Sequence, residues 1–179
     1  MDNTGNTDSF KRFALALYGS EGVADACLYL QNRHDLDVNL VLFAAFVGAE
    51  RRQRLTTSNL DAARARVDAW HSEVVRPLRA VRQRLKTGPA PAPNEITAHL
   101  RRRLQQVEID AEVIELDLLC AVVAPRSDTR RAGGNAREFA EAAIETVLRA
   151  YSKSPLEDDD RHAVDTIAAM AARRVNPDR

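Results

Sequence analysis

Cysteine occurs only twice in 179 residues, at Cys27 and Cys120. Neither has a second cysteine or a histidine at metal-ligand spacing. A disulfide scaffold is therefore excluded, and both thiols are expected to act as small buried hydrophobes. Net charge is also missing. Lys and Arg total 26 against 26 Asp and Glu, so the chain as a whole has no attraction for phosphate or anionic lipid. No apolar stretch approaches the ~20 residues that cross a bilayer. There is no Gly-x-Ser-x-Gly, no glycine-rich phosphate loop and no lasting strand-like alternation. The first eight residues, Met-Asp-Asn-Thr-Gly-Asn-Thr-Asp, lack the basic start and apolar core of a secretory signal, so a cytoplasmic location is expected.

What is present reads as helix. Residues 38–47, Val-Asn-Leu-Val-Leu-Phe-Ala-Ala-Phe-Val, are apolar except for Asn39. A helix apolar on every side must lie at the centre of a helical assembly. Around it the pattern predicts an all-α bundle of seven or eight helices. After a disordered tail over residues 1–7, Asp8 or Ser9 opens a helix carrying Phe10, Phe13, Ala14 and Leu17. Ser20 opens the next, with Val23, Cys27 and Leu30 on one face. Asp37 is the N-cap of the apolar helix. Thr57 or Ser58 starts a fourth, placing Leu60, Ala63, Val67 and Trp70 inward. Pro77 then demands a kink or break near residues 70–72.

Alternating prolines make residues 87–94 a linker between an N-terminal helical core (8–86) and a C-terminal part (95–174) packed with it. Asn94 caps a long helix over 95–124, stopped by Pro125. Asn135 with Glu138, and Ser154 with Glu157, form capping boxes for the last two helices. Residues 175–179 fray.

The long helix carries two apolar stripes. One runs through Ile96, Leu100, Leu104, Val107, Ala111, Ile114, Leu118 and Val122, and the other through Ile109, Val113, Leu116, Cys120 and Val123. A surface helix needs one apolar face, so the second stripe must be covered by the C-terminal helices or by another chain.

Three blocks resemble an uncharacterised bacterial protein family of similar length, a domain of unknown function. The first comprises Leu17-Tyr18-Gly19, residues 22–28, Leu30-Gln31, residues 37–40 and Leu42-Phe43. The second is Trp70 with residues 74–79, Arg82 and Leu85-Lys86; the third is Glu108 with Ala111-Glu112. The resemblance spans about residues 9–118, supports the helical boundaries and implies no activity.

Candidate chemistry is sparse. Asp35-x-Asp37-x-Asn39 imitates the start of a calcium loop, but the required Gly and Glu are replaced by Leu40 and Phe46. A di-iron bundle needs two Glu-x-x-His pairs; only Asp159-x-x-His162 approaches one. Glu108, Glu112 and Glu115 share a helix side without a histidine at that spacing, which reads as a solvated acidic face. His34, His71 and His99 fall at helix ends or polar faces and read as surface residues. No catalytic residue, metal or cofactor is expected. Charge is zoned, with eight basic residues between 71 and 103 and an acidic stretch over 104–120. Such zoning predicts ion pairing between neighbouring helices, or steering of a partner of opposite sign.

The expected function is non-enzymatic: a protein partner or homodimer docking on Ile109, Val113, Leu116, Cys120 and Val123. The alternative is a small anionic molecule or lipid held in a pocket of Asn39, Phe43, Phe46, Trp70, Arg76 and Arg79. Weak nucleic-acid binding through Arg82, Arg84, Lys86, Arg101, Arg102 and Arg103 ranks third, because pI 6.9 and the scarcity of nearby aromatics oppose it.

Overall fold

Helix is the only regular structure among residues 4–122 and 135–176, the part of the chain that the computed structural model describes. In order these are α1 (Thr4–Tyr18), α2 (Val23–His34), α3 (Val38–Ala49), α4 (Thr57–Trp70), α5 (Arg76–Arg84), α6 (Glu95–Cys120), α7 (Ala136–Tyr151) and α8 (Asp158–Val175). A single π-helical turn, His71–Val75, joins α4 to α5 in one continuous rod. The all-α expectation holds.

The fold is arranged around α3, in which ten of twelve residues are buried. Helices α1, α2, α6, α7 and α8 all pack on it, as a helix without a polar face requires. From α1, the Phe10 ring meets Phe43 and Phe46 at centroid separations of 5.8 and 5.3 Å, and Phe13 meets Phe46 at 5.3 Å. Such tilted and edge-to-face pairs add ~0.5–1.5 kcal/mol each beyond burial. On the opposite flank α3 and α7 nearly touch at the backbone. A β-carbon placed on Gly48 would lie 2.5 Å from the Phe139 carbonyl and the Ala140 backbone. One buried apolar cluster runs from Phe10 to Ala171, so both halves of the chain share a core.

Local signals place most boundaries and miss some by a few residues. Asp37 caps α3 by accepting from the Asn39 amide, and Asn94 caps α6 in a reciprocal box with Thr97. By contrast α1 is already helical at Thr4, inside the expected tail. Ser20 does not cap α2; its hydroxyl donates to the Ala16 carbonyl, and Gly22 in the left-handed region (φ 75°) leads into the helix instead. Thr56 rather than Thr57 caps α4. Asn135 caps α7 through the Arg137 amide. The box at α8 sits three residues later than expected and is formed by Glu157 and Asp160. Helix α6 ends at Cys120, and residues 123–134 lie outside the described part, as do 177–179.

Pro77 produces neither a break nor a bare kink. Its missing N–H leaves an acceptor in the preceding turn unbonded, and the backbone widens to π geometry over His71–Val75. The proline-rich stretch then acts as a return: the Ala92 amide bonds to the Pro89 carbonyl, and α6 runs back antiparallel along α5.

Replacing Gly48 by Ala is expected to cost about 3 kcal/mol, because the clash is with backbone that can move only if α7 moves. Calorimetry should show a melting temperature lower by about 6–12 °C for a chain of this size. A loss under ~2 °C would mean that the helices separate freely at this crossing.

Candidate functional site

Where α3 begins, its single polar residue organises two carboxylates. The Asn39 backbone N–H donates to Asp37 Oδ1 at 2.8 Å, and its side-chain amide donates to Glu115 Oε2 at 2.6 Å and to the Glu112 carbonyl at 3.1 Å. Each carboxyl group is thereby held by one oxygen, which leaves Asp37 Oδ2 and Glu115 Oε1 facing His71. The His71 Nδ1 lies 3.1 Å from Glu115 Oε1 and 3.7 Å from Asp37 Oδ2. Glu115 is fully buried and Asp37 is 3% exposed. Asp37 Oδ2 has no hydrogen-bond partner. Burial, then the neighbouring Glu115 charge, push the Asp37 carboxyl up to about 7, against the opposing pull of His71 and the Asn39 amide. For His71, burial favours the neutral ring, but the Glu115 hydrogen bond and the two carboxylates outweigh it and raise its pKa. The π-turn brings this histidine to the cluster from a different helix.

One and two turns back along α6, Glu108 and Glu112 meet the arginines of α5. Arg79 donates to Glu108 Oε1 at 2.9 Å and to Glu112 Oε1 at 2.5 Å, and Arg82 donates to both oxygens of Glu108. Burial alone would raise the Glu108 pKa, but the two guanidinium groups hold it below the usual carboxylate range. At Glu112 burial prevails over Arg79, and its pKa is raised. This ion-pair ladder fastens α5 onto α6 and takes up much of the basic and acidic zoning within the chain.

Beside the ladder lies a cleft of about 600 Å³. Its walls are Leu15 and Tyr18 of α1, Leu28 of α2, Leu42 of α3, and Ile109, Val113 and Leu116 of α6. Arg79, Arg82 and Lys86 line it too, and Asp37, Asn39, Glu108 and Glu112 bring the polar network to its surface.

The structure redistributes the residues singled out from sequence. Of the expected docking stripe, Leu116 and Cys120 are buried against the chain's own core, at 3% and 1% exposure. That half of the stripe is covered internally, by α1 and α3, and cannot serve as a docking surface. Ile109 and Val113 line the cleft, and Val123 lies outside the described residues. Of the expected pocket, Asn39 and Arg79 line the cleft. Phe43 and Phe46 are core residues instead, Trp70 donates its indole N–H to the Ala111 carbonyl at 3.0 Å, and Arg76 pairs with Asp35 at 2.8 Å on the surface. In the basic patch Arg82 is engaged by Glu108, Lys86 lines the cleft, and Arg84, Arg102 and Arg103 are exposed, with Arg101 half-buried.

Two expectations are corrected outright. His34 and His71 are not surface residues: His34 is bound to the buried Asp160 at 2.8 Å, and His71 to Glu115. Nor is the acidic side of α6 solvated, since Glu108 and Glu115 point inward. A signal for this was present, because Glu108, Ala111, Glu115 and Leu119 follow one another at spacings of three, four and four, the spacing of a buried face.

Fold and site together define an all-helical protein with a buried polar cluster opening into an apolar cleft. Residues 9–119 match the family described as Protein of unknown function (DUF2390), and the chain belongs to that family. No curated protein and no solved structure matches it.

The Asp37 environment has a measurable sign. Its folded-state pKa lies above the unfolded value of about 3.9, so the stability it contributes is complete below pH ~4 and disappears as pH rises through about 7. The raised His71 acts in the same direction. Asp37→Asn keeps a good N-cap and removes the charge. In EDTA it is expected to be more stable than the wild type at pH 8.5, by on the order of 1–2 kcal/mol, with the gap closing toward pH 4. Melting curves across that range check it; a difference independent of pH would contradict the assignment.

Proposed function

We propose that this protein binds a small amphipathic anion, an apolar chain ending in a carboxylate or phosphate, in the cleft between α1, α2, α5 and α6. The observation that carries this reading is the cleft's composition: aliphatic side chains from four helices beside Lys86 and two arginines, Arg79 and Arg82, that are paired with Glu108 and Glu112. Its volume falls in the ~300–1,000 Å³ range of small-molecule sites, which combine apolar walls with a few fixed polar groups. From Gln105 to Leu116 it follows α6 for about 16 Å at 1.5 Å per residue. Arg79 and Arg82 are held in place by Glu108 and Glu112, so presenting them to a ligand costs little ordering. Lys86 pairs with no carboxylate among the described residues and supplies the charge that an anionic head would meet. Among the described residues no helix is long and apolar enough to cross a membrane.

Calorimetric titration of the full chain with dodecanoate and dodecyl phosphate, below micellar concentration and in EDTA, tests the proposal. Saturable binding is expected, weakened at least tenfold by Val113→Asp and by about threefold to tenfold by Lys86→Glu, with dodecanol binding more weakly than either anion. Absence of saturable binding to all three probes would end the reading.

Self-association, the first expectation from sequence, becomes the second reading, moved to a different face. Ile96 is 81% exposed, and Leu100, Val107 and Ile114 of the same stripe are 45–49% exposed. Arg101, Arg102 and Arg103 lie near one end of this face and Asp110 toward the other, so a second copy packed antiparallel would bring opposite charges together. Light scattering should then show a dimer that Leu100→Asp converts to a monomer; a monomeric wild type at high concentration would remove the idea.

A further inference from the structure

Two other buried titratable clusters invite comparison with the one at the start of α3. Asp160, fully buried, is met by His34, Arg33 and the Glu157 amide, and joins the start of α8 to the end of α2. Glu108 is saturated by two arginines. Every charge there has its partner. At Asp37 that is not so: a carboxylate oxygen faces a histidine and a second carboxylate, is shielded from water, and accepts no hydrogen bond.

We propose that Asp37, His71 and Glu115 form a binding site for a divalent first-row transition ion of the Zn²⁺ or Mn²⁺ class, open toward the cleft. Each residue offers one ligand atom, and the three atoms lie within 4.8 Å of one another. Nδ1 of His71 stands 3.1 and 3.7 Å from the two carboxylate oxygens. Ligands bonded at ~2.1 Å to one ion are separated by roughly 3.0–3.4 Å, so the histidine already stands within a few tenths of an ångström of that range, while the two carboxylate oxygens close on the ion from a separation of up to 4.8 Å. The donor set of one imidazole and two carboxylates suits Zn²⁺, Mn²⁺ or Fe²⁺ better than Ca²⁺, which takes oxygen alone.

Asn39 supplies the outer support that metal sites require, fixing one oxygen of each carboxylate and turning the other toward the ion. The ion replaces the proton that Nδ1 shares with Glu115; that proton leaves to solvent or the ring adopts its other tautomer. Asp37 and Asn39 also line the cleft, which sets the proposed site against its wall. The inference stands apart from the anion-binding reading, whose test is run in EDTA.

The experiment uses the full chain stripped with EDTA and then dialysed free of it. Zn²⁺ and Mn²⁺ are titrated calorimetrically and by thermal shift, and Co²⁺ is followed by its visible absorption. The expected result is one saturable equivalent per chain, with a melting temperature raised by about 5 °C or more when metal is ~100-fold above its Kd. Asp37→Asn and His71→Gln, each checked for native circular dichroism, should weaken binding at least tenfold and abolish the Co²⁺ bands. The double variant Asp158→Asn/Asp159→Asn, at the exposed acidic start of α8, should bind as the wild type does. Should Asp37→Asn fail to fold, His71→Gln decides alone. No saturable binding by the wild type, binding unaffected in the folded ligand variants, or binding lost only in the α8 control would overturn the site.

Discussion

A helix with no polar face constrains everything around it. Helix α3 can exist in water only if neighbours cover it on all sides, and five helices do so. The covering sets the positions of α1 and α7, the first through its phenylalanine rings and the second through direct backbone approach at Gly48. It also fixes where polar chemistry can occur. The side of α3 can hold none, so polar groups gather at its N-terminal end, where Asp37 and Asn39 meet the helix dipole's positive pole. The cluster with Glu115 and His71 sits where the apolar core ends.

Local rules revealed the scaffold well. Asp37 and Asn94 cap the helices that their side chains predicted, and the apolar 38–47 stretch is the buried centre. What the sequence concealed was pairing between distant elements. His71 and Glu115 are 44 residues apart and meet across two helices, with His71 carried on the π-turn of the α4–α5 rod. A search for histidine and glutamate at helical spacing cannot find such a pair. Ile109 and Val113 misled for a related reason. An apolar stripe says that something apolar lies opposite, but here it was partly the chain's own core and partly an open cleft.

The arginines show the same division. The charge zoning predicted ion pairing between neighbouring helices, yet the acidic face of α6 by itself looked like solvated charge, because the stretch between it and Arg82 is rich in proline and reads as an extended spacer. It is a return instead, and it lays α5 against α6 so that Arg79 and Arg82 reach Glu108 and Glu112. Removing one partner from such a part-buried network leaves the other uncompensated, which makes the α5–α6 pair a unit more than a sum of surface bridges. That unit is also one wall of the cleft, so its rigidity and the cleft's shape have a common origin.

Burial alone does not separate structural from functional polar residues here; satisfaction does. Asp160 and Glu115 are equally hidden, yet Asp160 is enclosed by donors from three residues. Asp37 shares its site with a second carboxylate, keeps one oxygen bare, and borders open space. Folding for stability alone would favour an apolar residue or a saturating arginine at such a place, as at Glu108. A bare buried oxygen is tolerated where something arrives to meet it. The cost borne at the N-terminus of α3 therefore points to a visiting positive charge, either a proton or an ion that enters by the cleft.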